Sequence, residues 1–280
     1  MEKTYRRILT VQDISCVGQC SLTVALPILS ACGHETAILP SAVLSTHTAG
    51  FTGFTFRDLT DDIPLINNHW VKEGLKFDAI YTGYLGSKKQ IDYIKNLFAT
   101  CGKENFLKIV DPAMADNGKL YPLFNQEYAD EMAGLCAQAD FILPNITEAC
   151  FMTGVEYREN YDRAYVDELL AALSKICPSS NVILTGVSYR EGKTGVVVYC
   201  DGKYEYYEHV KIAKGCHGTG DVYASAFTGA LMHGKTPYES AKIAADYTVC
   251  CIEKTQDDPS HFYGVKFELA IPELIKMIYG

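Results

Sequence analysis

The sequence is organised around Lys214-Gly215-Cys216-His217-Gly218-Thr219-Gly220-Asp221, which runs into the apolar residues Val222-Tyr223-Ala224-Ser225-Ala226-Phe227. Glycine lets a backbone turn sharply and approach a ligand closely. The first amides of the following helix lack intrahelical partners and lie at the positive end of its dipole. This combination predicts an anion site, most often for phosphate.

Asp221 is unusual at such a site, because a carboxylate repels phosphate unless it has a task of its own. One such task is to take a proton from an attacking hydroxyl group. The alternative is a glycine-rich turn in which Asp221 merely favours the start of a helix.

The composition is that of a globular α/β protein. The chain has 280 residues, of which 48% are hydrophobic, and this suits a sizeable core. A net charge of -9 without a run of lysine and arginine argues against a nucleic-acid partner. No apolar run approaches the roughly 18 residues of a membrane span, so no membrane partner is expected.

Cysteine usage points to a reducing compartment. The eleven cysteines are scattered through apolar segments and form no C-x-x-C pair. Residues 1–7 are followed by a short apolar strand rather than by the core of a signal peptide. We therefore expect a cytoplasmic protein with reduced thiols, and neither a disulfide framework nor a zinc finger.

The N-terminal segment has the order strand, loop, helix, strand. Residues 7–12 are nearly continuous in apolar residues, as in a buried parallel strand. A helix over residues 21–32 and a strand at 37–39 complete a βαβ unit. The loop predicted after the first strand begins at Asp13, and ligands collect beyond the carboxyl ends of parallel strands. Asp13 is thus a site candidate, although a turn role explains it equally well.

Acidic residues follow two later strands. The strand at 107–111 ends on Asp111, and Asp116 lies just downstream, which suits a magnesium ion held partly through water. Each of the two, taken alone, is better explained as a solvated loop residue. Asn145 and Glu148 follow the strand at 141–143 and match a capping box, a structural role that accounts for both residues.

Residues 43–55 differ in character from the rest of the chain. Hydroxyl groups, a histidine, glycines and aromatic residues alternate there without a helical period. The pattern predicts a flap of short strands whose polar groups face a ligand. A loosely packed surface hairpin is the alternative.

One motif is misleading. Gly186 and Gly192-Lys193-Thr194 resemble a phosphate-binding P-loop, but five residues separate the glycines where the motif has four. The following residues, 195–199, read as a strand, whereas a P-loop opens a helix. We predict a hairpin with a second strand at 204–209. Because no repeat or linker is present, residues 1–280 are expected to form a single domain.

These features together resemble the ribokinase superfamily and, within it, the vitamin B6 kinases. The resemblance runs nearly end to end. It rests on Gly218-Thr219-Gly220-Asp221, on Ser45-Thr46-His47-Thr48 with Gly50, on Thr82-Gly83-Tyr84, on Asp111-Pro112, and on Pro144-Asn145 with Glu148. It implies an α/β fold of three layers (α/β/α) with a central, mostly parallel sheet and a small β flap over the site. A homodimer is expected on the same ground.

The resemblance also implies an activity, ATP-dependent phosphorylation of the 5′-hydroxymethyl group of pyridoxal, pyridoxine or pyridoxamine in pyridoxal phosphate salvage. ATP and Mg²⁺ are the implied cofactors, and a monovalent-cation requirement is left open. Asp221 would be the base, with the amides of Gly218, Thr219 and Gly220 as the anion hole. The other implied residues are Asp13, Ser45, His47, Thr48 and Tyr84 for the acceptor, Asp111, Asn145, Glu148, Thr185, Gly218 and Gly220 for the nucleotide, and Asp111, Asp116 and Glu148 for the metal.

Asp13 departs from the family pattern, because many pyridoxal kinases carry a serine at this place. A serine can donate or accept a hydrogen bond, whereas an ionised aspartate only accepts. Asp13 would therefore suit a protonated partner, such as a pyridinium nitrogen or the aminomethyl group of pyridoxamine. On this hypothesis pyridoxamine or pyridoxine is favoured over pyridoxal.

Three other readings compete with this one. Hydroxymethylpyrimidine kinases of thiamine biosynthesis belong to the same superfamily but often resemble GTGC at the signature, where this chain has Asp221. Sugar kinases tend to show a G-G-x-x-x-N pattern that the first loop lacks. A non-catalytic B6-binding protein would have lost the base or the anion hole, and this sequence keeps both.

Overall fold

The computed structural model describes residues 5–48, 50–212 and 216–280. Lys214 and Gly215 of the glycine-rich stretch lie outside the described residues. The strands are β1 (Arg7–Ser15), β2 (Glu35–Leu44), β3 (Phe56–Asp58), β4 (Phe77–Thr82), β5 (Gly102–Val110), β6 (Ala115–Asp116), β7 (Lys119–Leu120), β8 (Phe141–Ile142), β9 (Asn181–Val187), β10 (Lys193–Cys200) and β11 (Lys203–Val210). The helices are α1 (Leu22–Ala31), α2 (Ile63–Lys72), α3 (Lys88–Cys101), α4 (Gln126–Cys136), α5 (Ile146–Thr153), α6 (Arg163–Ile176), α7 (Thr219–Met232), α8 (Pro237–Glu253) and α9 (Ile271–Tyr279), with a 3-10 turn at Phe267–Ala270.

A nine-stranded sheet forms the middle layer, in the order β11-β10-β9-β8-β5-β4-β1-β2-β3. The six strands from β9 to β2 run parallel, while β3, β10 and β11 at the two edges pair antiparallel. The separate pair of β6 and β7 is a short antiparallel ribbon. The predicted central, mostly parallel sheet is confirmed.

Helices cover both faces of this sheet because successive residues of each buried strand point to opposite sides. In β1, Leu9 and Val11 pack into a core with α2 to α6, and Ile8 packs into a second core with α1, α7, α8 and α9. The predicted three-layer α/β/α architecture is confirmed. The parallel strands therefore end along one edge of the sheet, where their loops can share a site.

The first strand is longer than the sequence pattern indicates. The prediction of a loop from Asp13 onward is wrong, because β1 continues to Ser15. Its pairing with β2 shifts register between Gln12 and Ile14, so Asp13 stands at an irregular point of the strand. Such irregularities re-aim side chains and are frequent beside active sites.

The predicted flap consists of two strand ends and a loop. Leu44 of β2 pairs with Phe56 of β3, and the residues described between them contain no strand. The Ser45 amide donates to the Thr55 carbonyl at 3.1 Å, and the Thr55 amide donates to the Ser45 hydroxyl at 2.9 Å. We call residues 45–55 the flap loop.

The misleading P-loop motif is a hairpin, as predicted. Gly192 has φ +69° at the turn, and Lys193 begins β10, which pairs antiparallel with β9 and β11. A left-handed glycine at this position lets the chain reverse direction.

Within the described ranges no helix combines the length and apolar character needed to cross a bilayer.

Candidate active site

The beginning of α7 lies against the loop between β1 and α1. Gly218 precedes the helix with φ 75°, and a Cβ atom placed on it would overlap the carbonyl oxygen of Gln19. Glycine is therefore required twice, for its left-handed conformation and for the close approach. Around Gly220, by contrast, a Cβ atom would meet no atom within 4 Å. The open space faces the helix end whose amides can bind an anion.

Asp221 lies in the first turn of α7 and is only partly exposed. Burial raises its pKa to about 7, the backbone N–H of Ser21 lowers it, and the negative charge of Asp13 raises it. Asp13 itself is buried in β1, and burial also raises the pKa of its carboxyl group. The two carboxyl groups are therefore close enough for the charge of Asp13 to act on Asp221.

Ser21 joins these two carboxylates, a role that the sequence interpretation missed. Its hydroxyl donates to Asp13 Oδ1 at 2.5 Å, while its backbone N–H interacts with Asp221. Ser21 has φ 50° and ψ -134°, which is a costly conformation for a residue other than glycine. A serine just before a helix reads as an N-cap, but this hydroxyl makes no capping bond. The sequence alone therefore did not indicate that Ser21 links the two carboxylates.

A second carboxylate pair lies at the ends of β5 and α5. Burial raises the pKa of Glu148 to about 7, and the Asn145 and Met114 amides donate to it, each at 2.9 Å. Burial and the charges of Glu148 and Asp221 raise the pKa of Asp111. The capping box between Asn145 and Glu148 is confirmed. Its Glu148 also holds the segment after Asp111 through Met114.

Asp116 and Thr185 lie beside this pair. Asp116 is exposed, accepts the Asn117 amide at 2.9 Å, and its charge raises the pKa of Glu148. The Thr185 amide donates to the Pro144 carbonyl at 2.9 Å, so Thr185 sits next to Asn145. Their roles toward a metal or a nucleotide stay predictions.

Tyr121 was also missed. Partial burial raises the pKa of its phenol, as do the charges of Glu148, Asp111, Asp116 and Asp221. These charges act on its phenol although 39% of the residue is exposed. It stands in a loop with no motif around it, and no local pattern could have indicated its position.

The predicted acceptor residues lie at different depths. Burial and the charge of Asp13 raise the pKa of Tyr84 to about 12. The ring of His47 lies 5.6 Å from that of His217, just before α7. Ser45 uses its hydroxyl to close the flap loop, and Thr48 is exposed. For Ser45 and Thr48, contact with a ligand stays a prediction.

Among the described residues no ion pair includes Asp13, Asp111, Glu148 or Asp221. Nor do three His, Cys, Asp or Glu side chains of the described ranges group closely enough to hold a metal ion by themselves. Carboxylate oxygens nevertheless suit Mg²⁺, which keeps several waters and binds one or two carboxylates together with substrate phosphates.

Several known proteins are similar to this chain. A family model described as phosphomethylpyrimidine kinase matches residues 42–264. Two crystal forms of a candidate phosphomethylpyrimidine kinase from Bacteroides thetaiotaomicron superpose with TM-scores of 0.92 and 0.89, at 34% and 35% identity. The first alignment covers 98% of this chain and 95% of that one, the second 97% and 96%, and the second form is described as containing pyridoxal.

Two further relatives differ in their named substrates. The crystal structure of pyridoxal kinase from Lactobacillus plantarum is 30% identical, with a TM-score of 0.90 and 97% of each chain covered. The hydroxymethylpyrimidine/phosphomethylpyrimidine kinase of Bacillus subtilis is 27% identical over 66% of this chain and 67% of its own length. These similarities indicate a kinase, but they do not identify the molecule that accepts the phosphoryl group.

The contact at Gly218 generates a stability prediction. Gly218→Ala should lower the free energy of unfolding by about 1–3 kcal/mol, because it forces a left-handed alanine against the Gln19 carbonyl. Gly220→Ala is the matched control and should leave the free energy unchanged or raise it by up to about 1 kcal/mol, since alanine favours helix. Urea unfolding of both variants measures this. Equal stability of the two would contradict the close approach.

Proposed function

We propose that this chain, which belongs to the phosphomethylpyrimidine kinase family, transfers the γ-phosphoryl group of ATP to the 5′-hydroxymethyl group of a B6 vitamer. The observation that carries the proposal is Asp221, placed in the first turn of α7 next to the open space at Gly220. A base and an anion site are thereby side by side. The pyridoxal in the Bacteroides relative and the activity named for the Lactobacillus relative support a B6 acceptor.

In this mechanism Asp221 takes the proton of the acceptor hydroxyl group while the oxygen of that hydroxyl group attacks the phosphoryl group. A pKa near 7 makes this carboxylate a stronger base than an ordinary aspartate at neutral pH. The amides at the start of α7 stabilise the charge on the transferring group. Ser21 holds Asp13 by its hydroxyl and Asp221 by its amide, and so orients both carboxylates.

The nucleotide side is assigned to the second carboxylate pair. Asp111, Asn145, Glu148 and Thr185 would contact the nucleotide, with Asp111, Asp116 and Glu148 holding Mg²⁺, Asp116 through water. When bound, Mg²⁺ would neutralise phosphate charge. The charge of Glu148 raises the pKa of Asp111, and the charge of Asp116 raises the pKa of Glu148, so a bound cation would help these carboxylates to be ionised together.

The acceptor side is assigned to Asp13 and Tyr84, together with His47 and Thr48 on the flap loop. Because Asp13 has no cationic side chain paired with it within the described residues, a protonated vitamer would supply the missing charge. We therefore keep pyridoxamine or pyridoxine as the favoured acceptor. We also propose that the protein is a homodimer in the cytoplasm.

Hydroxymethylpyrimidine is the second candidate acceptor, because the family description and the Bacillus relative both name a pyrimidine. The two candidates share the phosphoryl-transfer machinery and differ only in the ring that the acceptor side must bind. Asp13 accepts a hydrogen bond from a cationic or an N–H group, so it does not by itself distinguish them.

Vitamer-dependent release of ADP tests the function. We expect turnover with pyridoxal, pyridoxine or pyridoxamine that exceeds turnover with hydroxymethylpyrimidine. Asp221→Asn should lower kcat by about 10²–10⁴, because the base is lost while the fold is kept. Coupled ADP release and thermal unfolding measure both. Near-wild-type kcat in Asp221→Asn would refute the assignment of Asp221 as the base. Turnover with hydroxymethylpyrimidine alone would refute the B6 vitamer as the acceptor.

The pH dependence follows from Asp221. The base must be ionised to accept a proton, so kcat/KM should rise with pH up to about 7 and level off above it. Asp13→Asn removes a charge that raises this pKa, and should therefore move the midpoint to lower pH. Asp167→Asn on the exposed face of α6 is the control and should leave the midpoint unchanged. An unshifted midpoint in Asp13→Asn would disprove the coupling.

Vitamer preference tests the role of Asp13. Asp13→Ser should lower kcat/KM for pyridoxamine relative to pyridoxal, because serine no longer offers a negative charge to a protonated group. Steady-state kinetics with all three vitamers measures the ratio. If the ranking stays the same, Asp13 does not select the acceptor.

A further inference from the structure

The segment before the 3-10 turn contacts two loops of the site. We call residues 261–264 (His261-Phe262-Tyr263-Gly264) the bracket. No motif marked this segment in the sequence. Phe262 and Tyr263 touch the flap loop, and Tyr263 and Gly264 touch the loop between β1 and α1.

The contact with the flap loop is aromatic. The ring of Phe51 lies 5.2 Å from that of Phe262 and 5.9 Å from that of Tyr263, in the range of favourable aromatic pairs. Gly50, with φ +80°, passes under Phe262 so closely that a Cβ atom would lie 2.7 Å from the ring. Phe51 is half-buried, although residues 52–58 that follow it are exposed. The bracket therefore supplies the cover for this part of the flap loop.

The contact with the β1–α1 loop is made by the backbone. The Gln19 amide donates to the Tyr263 carbonyl at 3.3 Å, and a Cβ atom on Gly264 would overlap that of Gln19. On its other side the Gln19 carbonyl packs against Gly218. One residue thus connects the bracket to the start of α7.

The flap loop is tied to the same place independently. The His47 amide donates to the Val17 carbonyl at 2.8 Å, two residues before Gln19. A Cβ atom on Gly18 would lie 2.7 Å from His47 Cβ, so the two loops touch there as well. Bracket, flap loop and β1–α1 loop consequently close a ring of contacts beside the anion site.

The bracket itself is anchored to the core of the protein. His261 Nδ1 lies 2.8 Å from the Gly264 carbonyl, and the Lys266 amide donates to the Thr255 hydroxyl at 2.8 Å. Val265 and Phe267 are buried in the core with α8 and α9. Of the contacting segments, the bracket is continuous with this core, and the flap loop is the exposed one.

We infer that the bracket holds the flap loop in place over the acceptor, and that Phe262 is a positioning residue for acceptor binding. Phe262 leaves 47% of its surface exposed, so it adds little to the core and its packing serves the flap loop. This inference rests on the proposed function, in which the flap loop carries the acceptor residues His47 and Thr48. Phe262 acts through that loop and is not itself assigned to the reaction.

Kinetics provide the first test. Phe262→Ala should raise KM for the vitamer about fivefold or more, while KM for ATP and the melting temperature stay unchanged, because only acceptor binding uses the flap loop. Phe262→Tyr keeps the ring and should restore the wild-type KM. Phe54→Ala, on the same loop and 37% exposed, is the matched control and should have no effect. Equal effects on both substrates would overturn the inference.

Hydrogen exchange tests the bracket without any substrate. The amides of Ser45, His47 and Thr55 are hydrogen-bonded in the flap loop and should exchange faster in Phe262→Ala and in Phe51→Ala. The effect of the double variant should be smaller than the sum of the two single effects, because both single changes break the contact between Phe51 and Phe262.

The two tests separate the claims. If wild-type protein turns over no vitamer and exchange in the flap loop still rises in Phe262→Ala, the proposed function fails and the bracket stands. If exchange and KM are both unchanged in that variant, the bracket fails whatever the acceptor is.

Discussion

The van der Waals contact between the Gln19 carbonyl and Gly218 is the constraint on which the site depends. It brings the loop after β1 against the start of α7, and so sets Asp13 and Ser21 opposite Asp221. Any side chain at position 218 would separate them. The glycine signature therefore has a second role besides the proposed phosphate binding, because it also determines where Asp221, the proposed base, stands relative to Asp13 and Ser21.

Burial is the second physical feature of the site. Asp13, Asp111 and Glu148 are buried, and each group's pKa is raised chiefly by desolvation. Protein hydrogen bonds offset part of this cost, from Ser21 to Asp13 and from backbone amides to Glu148. A cation and a protonated acceptor would offset more. An acidic site that is incompletely neutralised by its own protein suits substrates that bring positive charge with them.

Local patterns predicted much of this architecture. Continuous apolar runs marked the parallel strands, because both faces of such strands are buried. The count between Gly186 and Gly192 distinguished a hairpin from a P-loop, and the Asn145–Glu148 capping box was legible from spacing alone. Patterns failed where a residue's role depends on distant neighbours. Ser21 looked like a helix cap, Tyr121 had no motif, and the bracket contacts loops about 210 and 245 residues away in the chain.

By itself, the sequence determined the βαβ order and predicted an anion site at the start of α7 with Asp221 as candidate base, because each depends on residues adjacent in the chain. Only the tertiary structure decided that β1 extends through Asp13, that Ser21 links two carboxylates, and that Phe262 covers the flap loop. These relations are set by packing across the sheet edge. Burial and close approach arise only when distant segments meet, so local spacing carries no record of them.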